Sequence, residues 1–179
     1  MTIERKTAIV LIDVQGKLAD IMYDSEKLFK NLEILIKGAQ LLDIPIIWTE
    51  QVPEKLGSTT KRISTLLTNQ NPIIKSEFSC VKNVEFSNII KDEKYNHFLL
   101  CGIETHVCVY QTAKDLLILG HGVEIIVDGV SSRTELNRKI GIEKITSLGG
   151  KVTNVEMLLF EKQEIAGGNK FRELINIVK

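Results

Sequence analysis

Five polar side chains close apolar runs in this sequence. Asp13 follows Ala8–Ile12, Glu50 follows Pro45–Thr49, and Lys75 follows Ile73-Ile74. Cys108 comes shortly after His97–Cys101, and Asp128 ends Val123–Asp128. A carboxylate, an ammonium and a thiol that converge can perform nucleophilic chemistry. The carboxylate takes the thiol proton, the ammonium holds charge nearby, and sulfur attacks an electrophilic carbon. Asp13 directly follows a strand buried on both faces, so its desolvated charge requires a partner. Lys75 makes the same demand, and a pair at the ends of neighbouring strands would satisfy both. Glu50 and Asp128 fit a loop residue or a helix cap as well as a site residue.

Cys108 lies in or near the first turn of a helix that follows Gly102-Ile103-Glu104-Thr105. Backbone N–H groups and the helix dipole favour a thiolate there, as does a nearby lysine. The alternative is a small buried hydrophobe, the usual role of a free cysteine. That alternative suits Cys101, inside a buried strand. Cys80, in the loop after Phe78-Ser79, suits packing or pocket lining. No histidine is well placed to activate Cys108. His106 is two residues away, on nearly the opposite face of a helix. His97 starts its strand at the wrong end, and His121 follows a helix. No Cys or His pair has zinc-ligand spacing, and neither GxGxxG nor GxxxxGK[ST] occurs, so nucleotide binding has no support.

The elements that must position these residues alternate. Buried-strand patterns fall at 8–12, 45–49, 72–75, 97–101, 123–128 and 151–153. Helical spacing falls at 28–42, 84–90, 107–119, 136–148 and 171–178, with a weaker patch at 63–67. Alternation of this kind predicts right-handed βαβ units in an α/β fold. The expected architecture is an open, doubly wound, six-stranded, mostly parallel sheet with helices on both faces. Six strands are too few for a closed eightfold barrel. In such sheets, chemistry sits beyond the carboxyl ends of the strands, where strand order reverses.

The chain has 179 residues, with 23 basic and 23 acidic side chains and zero formal net charge. Its length suits a single domain over 1–179 with an ample core. Balanced, scattered charge argues against a nucleic-acid partner. No apolar run is long enough to span a bilayer, and the charged start Met1–Lys6 is not followed by a signal-peptide core. Three cysteines without a CxxC pair fit free thiols in a reducing compartment. The expectation is a cytoplasmic protein with a small-molecule substrate, no membrane contact, and assembly as a homo-oligomer, dimer or tetramer.

Three separated segments resemble the isochorismatase-like cysteine hydrolases: Leu11-Ile12-Asp13-Val14-Gln15, Lys75-Ser76-Glu77-Phe78-Ser79 and Gly102-Ile103-Glu104-Thr105-His106-Val107-Cys108-Val109. The resemblance runs over essentially the whole chain. Thr49-Glu50-Gln51, Leu56-Gly57 and Val130-Ser131-Ser132-Arg133 are most similar to the isochorismatase-domain-containing subgroup. The resemblance implies a three-layer Rossmann-like fold and a triad of Asp13, Lys75 and Cys108. It also implies a cis peptide at Ile103–Glu104, with the backbone N–H groups of Glu104 and Cys108 forming an oxyanion hole. Metal-binding nicotinamidases of this family carry an Asp and two His after the second strand, where this chain has Trp48–Glu54 and no His. Neither a metal nor nicotinamide is therefore expected, and no cofactor is required. Isochorismatases proper cleave a vinyl ether by acid catalysis without a thiol, so Cys108 points to acyl transfer on a small amide or related substrate. Gln15, Trp48 and Phe78 are candidate pocket walls, with packing roles equally open to them. Two other readings remain: a thiol-independent enol-ether hydrolase using Asp13 as acid, and a non-catalytic binding or scaffold protein.

Overall fold

The β-branched run near the N-terminus forms the centre of the sheet. In the computed structural model, which describes residues 6–92 and 94–179, β1 covers Thr7–Ile12. Of the N-terminal segment considered above for a signal peptide, residues 1–5 lie outside the described residues. The other strands are β2 (Ile46–Gln51), β3 (Ile73–Lys75), β4 (His97–Ile103), β5 (Gly122–Ser131) and β6 (Lys151–Thr153). Their spatial order is β3-β2-β1-β4-β5-β6, and every pairing is parallel. Strand order reverses between β1 and β4, so the crevice of this doubly wound sheet opens beyond Ile12 and Ile103.

Alternation along the strands divides the core between the two faces. Ile9, Leu11, Trp48, Leu99 and Cys101 pack beneath α2 (Ser25–Leu41), α8 (Val155–Gln163) and α9 (Gly168–Val178). Ala8, Val10, Ile12, Phe98 and Leu100 pack with residues of α5 (Val84–Lys91), α6 (Tyr110–Ile118) and α7 (Glu135–Ser147). Short helical turns α1 (Gly16–Asp20), α3 (Pro53–Leu56) and α4 (Lys61–Ser64) follow β1 and β2. On α2, Leu28, Leu32, Leu35, Ile36 and Ala39 are buried at the spacing that predicted the helix. Each such aliphatic side chain contributes about 1.5–3 kcal/mol by leaving water.

Helix α8 and the end of β5 depart from the sequence expectation, as do the short turns α1 and α3. Helix α8 was not anticipated, because Met157-Leu158-Leu159-Phe160 is a continuous apolar run without helical spacing. Its start is set locally: the Asn154 side chain accepts from the Met157 N–H at 2.8 Å. Strand β5 continues through Asp128 to Ser131, so Asp128 lies inside the strand. Its Oδ1 accepts from the Val155 N–H at 2.9 Å, which anchors α8. A cap-like role explains Asp128 and a site role does not.

Candidate active site

Three sheet tips supply the polar residues of the crevice. Asp13 leaves β1 with φ of 54°, in the left-handed region that aspartate tolerates better than most residues. Beside it, Gly102 has φ of 107°, and a Cβ there would overlap the Ile12 carbonyl. Only glycine lets β4 approach β1 this closely and carry the Cys108 turn alongside Asp13. The register of β4 against β5 shifts between Leu100 and Gly102, the mark of a bulge at the strand end.

Asp13 and Lys75 meet, but not from neighbouring strands. The expected adjacency fails because β2 lies between β1 and β3. Lys75 spans that gap with its long side chain, and its Nζ donates to Asp13 Oδ2 at 2.6 Å. Their side chains are 0% and 4% exposed. The same Nζ donates to Gln51 Oε1 at 2.6 Å and to the Glu77 carbonyl at 3.1 Å. Thr49 Oγ1 donates to Asp13 Oδ1 at 2.8 Å. The carboxylate thus has a donor on each oxygen, as a buried charge requires.

Cys108 lies in a π-helical turn, Thr105–Val109, at the head of α6. Single π turns recur at functional sites because they re-aim one side chain. The turn is fastened to the tip of β5. Thr105 Oγ1 donates to the Ser131 carbonyl at 2.9 Å, His106 Nδ1 and Ser132 Oγ lie 3.0 Å apart, and the Arg133 N–H donates to Glu104 Oε2 at 3.0 Å. Gly141 of α7 faces the Thr105–His106 backbone so closely that a Cβ would come within 2.8–2.9 Å of it. The Ile103–Glu104 peptide is cis. His106 is engaged with Ser132, His97 faces Glu124 at 3.2 Å, and His121 stands edge-on to Phe98.

The electrostatics depart from the sequence expectation of a thiolate favoured at rest. Burial pushes the Cys108 thiol pKa up, and the charge of Asp13 pushes it further, while Lys75 pulls it down without prevailing. The reason is that Lys75 is already neutralised by a carboxylate at 2.6 Å. Burial alone would lower the Lys75 pKa, but Asp13, Cys80 and Cys108 outweigh it and hold it above the ordinary 10.5. The resting site is therefore a neutral thiol beside an Asp–Lys ion pair. Burial lifts the Cys80 thiol to about 11, and drives Cys101 far upward as well. Cys101 donates to the Val10 carbonyl as a core residue.

The remaining candidates divide. Phe78 is 55% exposed, and its carbonyl lies 3.5 Å from Lys75 Nζ, so it stands at the rim. Gln15 is fully buried: its amide bonds Gln51 N and O and the Gly57 carbonyl. Trp48 packs in the cluster on the α2 face, with Nε1 donating to Thr59 at 2.8 Å, whereas Cys108 belongs to the opposite cluster. The structure brings neither Gln15 nor Trp48 to the thiol. Glu50 accepts from the Thr59 N–H at 2.7 Å and fastens the same loop. Thr49 and Gln51 were not anticipated as site residues. The available signal was the one used for Asp13: polar side chains at the carboxyl end of a buried strand.

Residues 7–157 match the isochorismatase domain. The chain belongs to the isochorismatase family. A similar relative is the secreted isochorismatase effector Isc1 of Phytophthora sojae, 33% identical over 99% of this chain and 86% of its own. Among solved structures, the MAR1 ribonuclease of Caenorhabditis elegans is 32% identical, with a TM-score of 0.88 over 96% of this chain and 88% of that one. The YcaC protein of Escherichia coli, described as an octameric hydrolase of unknown specificity, shares the fold. Its TM-score is 0.89 at 17% identity, over 99% of this chain and 91% of that one. The sheet order and helical layers found here are those of this hydrolase fold. Among the described residues, no helix is long and apolar enough to cross a membrane.

Proposed function

We propose that this family member is a cysteine hydrolase acting on a small amide or related acyl substrate through a thioester on Cys108. The observation that carries the reading is a thiol, 7% exposed, beside a buried carboxylate that a buried lysine holds at 2.6 Å. In the first step, Cys108 Sγ bonds to the carbonyl carbon while its proton passes to Asp13. The carbonyl electrons move to oxygen, where the backbone N–H groups of Glu104 and Cys108 are the proposed donors. Losing one such donor typically costs about 10²–10³ in rate. The oxyanion then collapses, the C–N bond breaks, and the amine leaves with the proton from Asp13. Water, deprotonated by Asp13, attacks the thioester, and the acid leaves as the thiol regains its proton. Lys75 stays charged throughout and keeps Asp13 ionised between transfers. Phe78 is the proposed substrate wall. Self-association is proposed with it, the E. coli neighbour being described as octameric.

The test uses p-nitrophenyl acetate and a panel of small primary amides, with intact-mass detection of an acyl adduct. Cys108→Ala is expected to keep the fold and lose both turnover and adduct. Full turnover in that variant sinks the covalent mechanism. Equal cleavage of an enol ether by both proteins would favour acid catalysis by Asp13 alone. Equal cleavage of an oligoribonucleotide would instead point to the activity in the C. elegans relative's name.

A further inference from the structure

Gln51 is the residue around which the Asp–Lys pair is built, and the mechanism above does not use it. It ends β2, directly opposite Lys75 in the β2–β3 register, in the strand that separates β3 from β1. Its Oε1 accepts from Lys75 Nζ at 2.6 Å, and its Nε2 donates to the Ser76 carbonyl at 2.7 Å. Its backbone N–H donates to Gln15 Oε1 at 2.6 Å, and its carbonyl accepts from Gln15 Nε2 at 3.1 Å. Both ends of the side-chain amide are therefore fixed, and its orientation is determined: oxygen toward the ammonium, nitrogen toward a carbonyl. The three protons of Lys75 go to Asp13, Gln51 and the Glu77 carbonyl.

We propose that Gln51 is a positioning residue for the triad: its amide oxygen accepts a hydrogen bond from one ammonium N–H of Lys75 and thereby sets how strongly the lysine holds the carboxylate that receives the Cys108 proton. A neutral acceptor is required at this place. A carboxylate would compete with Asp13 for the same ammonium, and an apolar side chain would leave a buried N–H without an acceptor, drawing Lys75 harder onto Asp13. The other ionisable groups around the pair are Cys80 and Cys108, both of which act on Lys75, and the half-buried Glu77, which feels Lys75 in turn. Glu50, also on β2, is turned to the Thr59 N–H, and Glu104 beside the thiol is paired with Arg133. No histidine enters this set.

The proposal rests on the hydrolase reading only for the role of Asp13 as proton acceptor, so its test needs no hydrolase substrate. The rate of Cys108 alkylation by iodoacetamide is followed against pH by intact mass, in wild type, Gln51→Glu and Gln51→Met. In this reaction Cys108 sulfur bonds to the reagent methylene, iodide leaves, and the thiol proton passes to Asp13. The acid limb of the profile reports protonation of that acceptor. The Oε1 and Asp13 oxygens share one nitrogen at 2.6 Å each, so a new charge would sit within about 5 Å of Asp13. Gln51→Glu is expected to move the acid limb up by about one to two pH units, and Gln51→Met to move it down. An unmoved limb in a Gln51→Glu protein that melts like wild type overturns the proposal. If Gln51→Glu does not fold, an unmoved or raised limb in Gln51→Met does so. Turnover surviving in Cys108→Ala would defeat the hydrolase reading and leave these shifts standing.

Discussion

Replacing Lys75 by Met removes one charge of a pair held at 2.6 Å, with side chains 0% and 4% exposed. The lysine stem is largely replaced, so the loss is electrostatic. Asp13 is left buried and charged. Breaking a buried pair from one side typically costs 3–5 kcal/mol, because the remaining charge is uncompensated. Thr49 Oγ1 still donates to Asp13, which argues for the low end, about 3 kcal/mol. For a chain of this length that is a fall of roughly 6–12 °C in Tm.

The pH dependence has a definite sign. In the variant, the uncompensated charge on Asp13 costs stability only while the carboxylate is ionised, so the deficit shrinks as acid protonates it. In the wild-type protein the Lys75 pKa is raised, so that residue's contribution is complete below about pH 10.5 and lost only as pH rises through the folded value. Melting both proteins from pH 4 to 8 should show Tm curves that draw together toward the acid end and separate as pH rises. Alkylation of Cys108 at pH 7 should slow in the variant, since the thiol loses a favourable charge and Asp13 more readily holds a proton. The double variant Asp13→Asn/Lys75→Met should recover most of the lost stability, because no unpaired charge remains. A pH-independent Tm difference, or an unshifted alkylation curve in a folded variant, would refute electrostatic coupling within the pair and withdraw Lys75 from the triad.

Thr49→Val should cost about 1.5–3 kcal/mol, the usual worth of a hydrogen bond to a charged group, and slow Cys108 alkylation; a urea midpoint within error of wild type would mean that Asp13 does not depend on Thr49. Gly102→Ala should lower Tm by several degrees and disturb the Cys108 turn, since the added carbon overlaps the Ile12 carbonyl at φ of 107°; near-ultraviolet circular dichroism and melting would check this, and an unchanged protein would contradict the close approach. Dialysis against EDTA should leave hydrolysis unchanged, because Trp48–Glu54 carries no His and no cluster of His, Cys, Asp and Glu among the described residues could hold a metal; activity lost on chelation and restored by zinc would refute this.

The parallel sheet and its crevice were legible because buried parallel strands appear in sequence as unbroken runs such as Ala8–Ile12 and His97–Cys101. Asp13 and Lys75, which end two such runs, then mark the crevice without knowledge of strand order, whereas Glu50 and Asp128 turn to Thr59 and α8 instead. Order itself was not legible, and this is why Asp13 and Lys75 were placed on adjacent strands. Run lengths fix which segments are strands, but the crossovers decide which of them touch. Gln51 was hidden for the same reason, since its importance depends on β2 lying between β1 and β3. Trp48 stands one residue before Thr49 and two before Glu50 at the right end of the sheet, yet its side chain faces away. At a strand end, a shift of one residue changes the face.

The state of the thiol could not be read from residue types. A cysteine near a lysine and a helix start suggests a thiolate, and the pull of the lysine is present in direction. Burial and Asp13 reverse the balance, because the lysine's charge is already committed to the carboxylate. A neutral thiol facing an ionised carboxylate suits a site that shuttles one proton. In the proposed mechanism, the proton that leaves sulfur on attack is the one the departing amine needs, and Asp13 would carry it while Lys75 keeps the carboxylate ionised between transfers. Cys80 shows what the arrangement requires. It too feels Lys75 and Asp13, but it is fully buried, and its thiol lies 4.0 Å from Thr49 Oγ1. Cys108 has both a carboxylate partner and some exposure, and a nucleophile needs the two together.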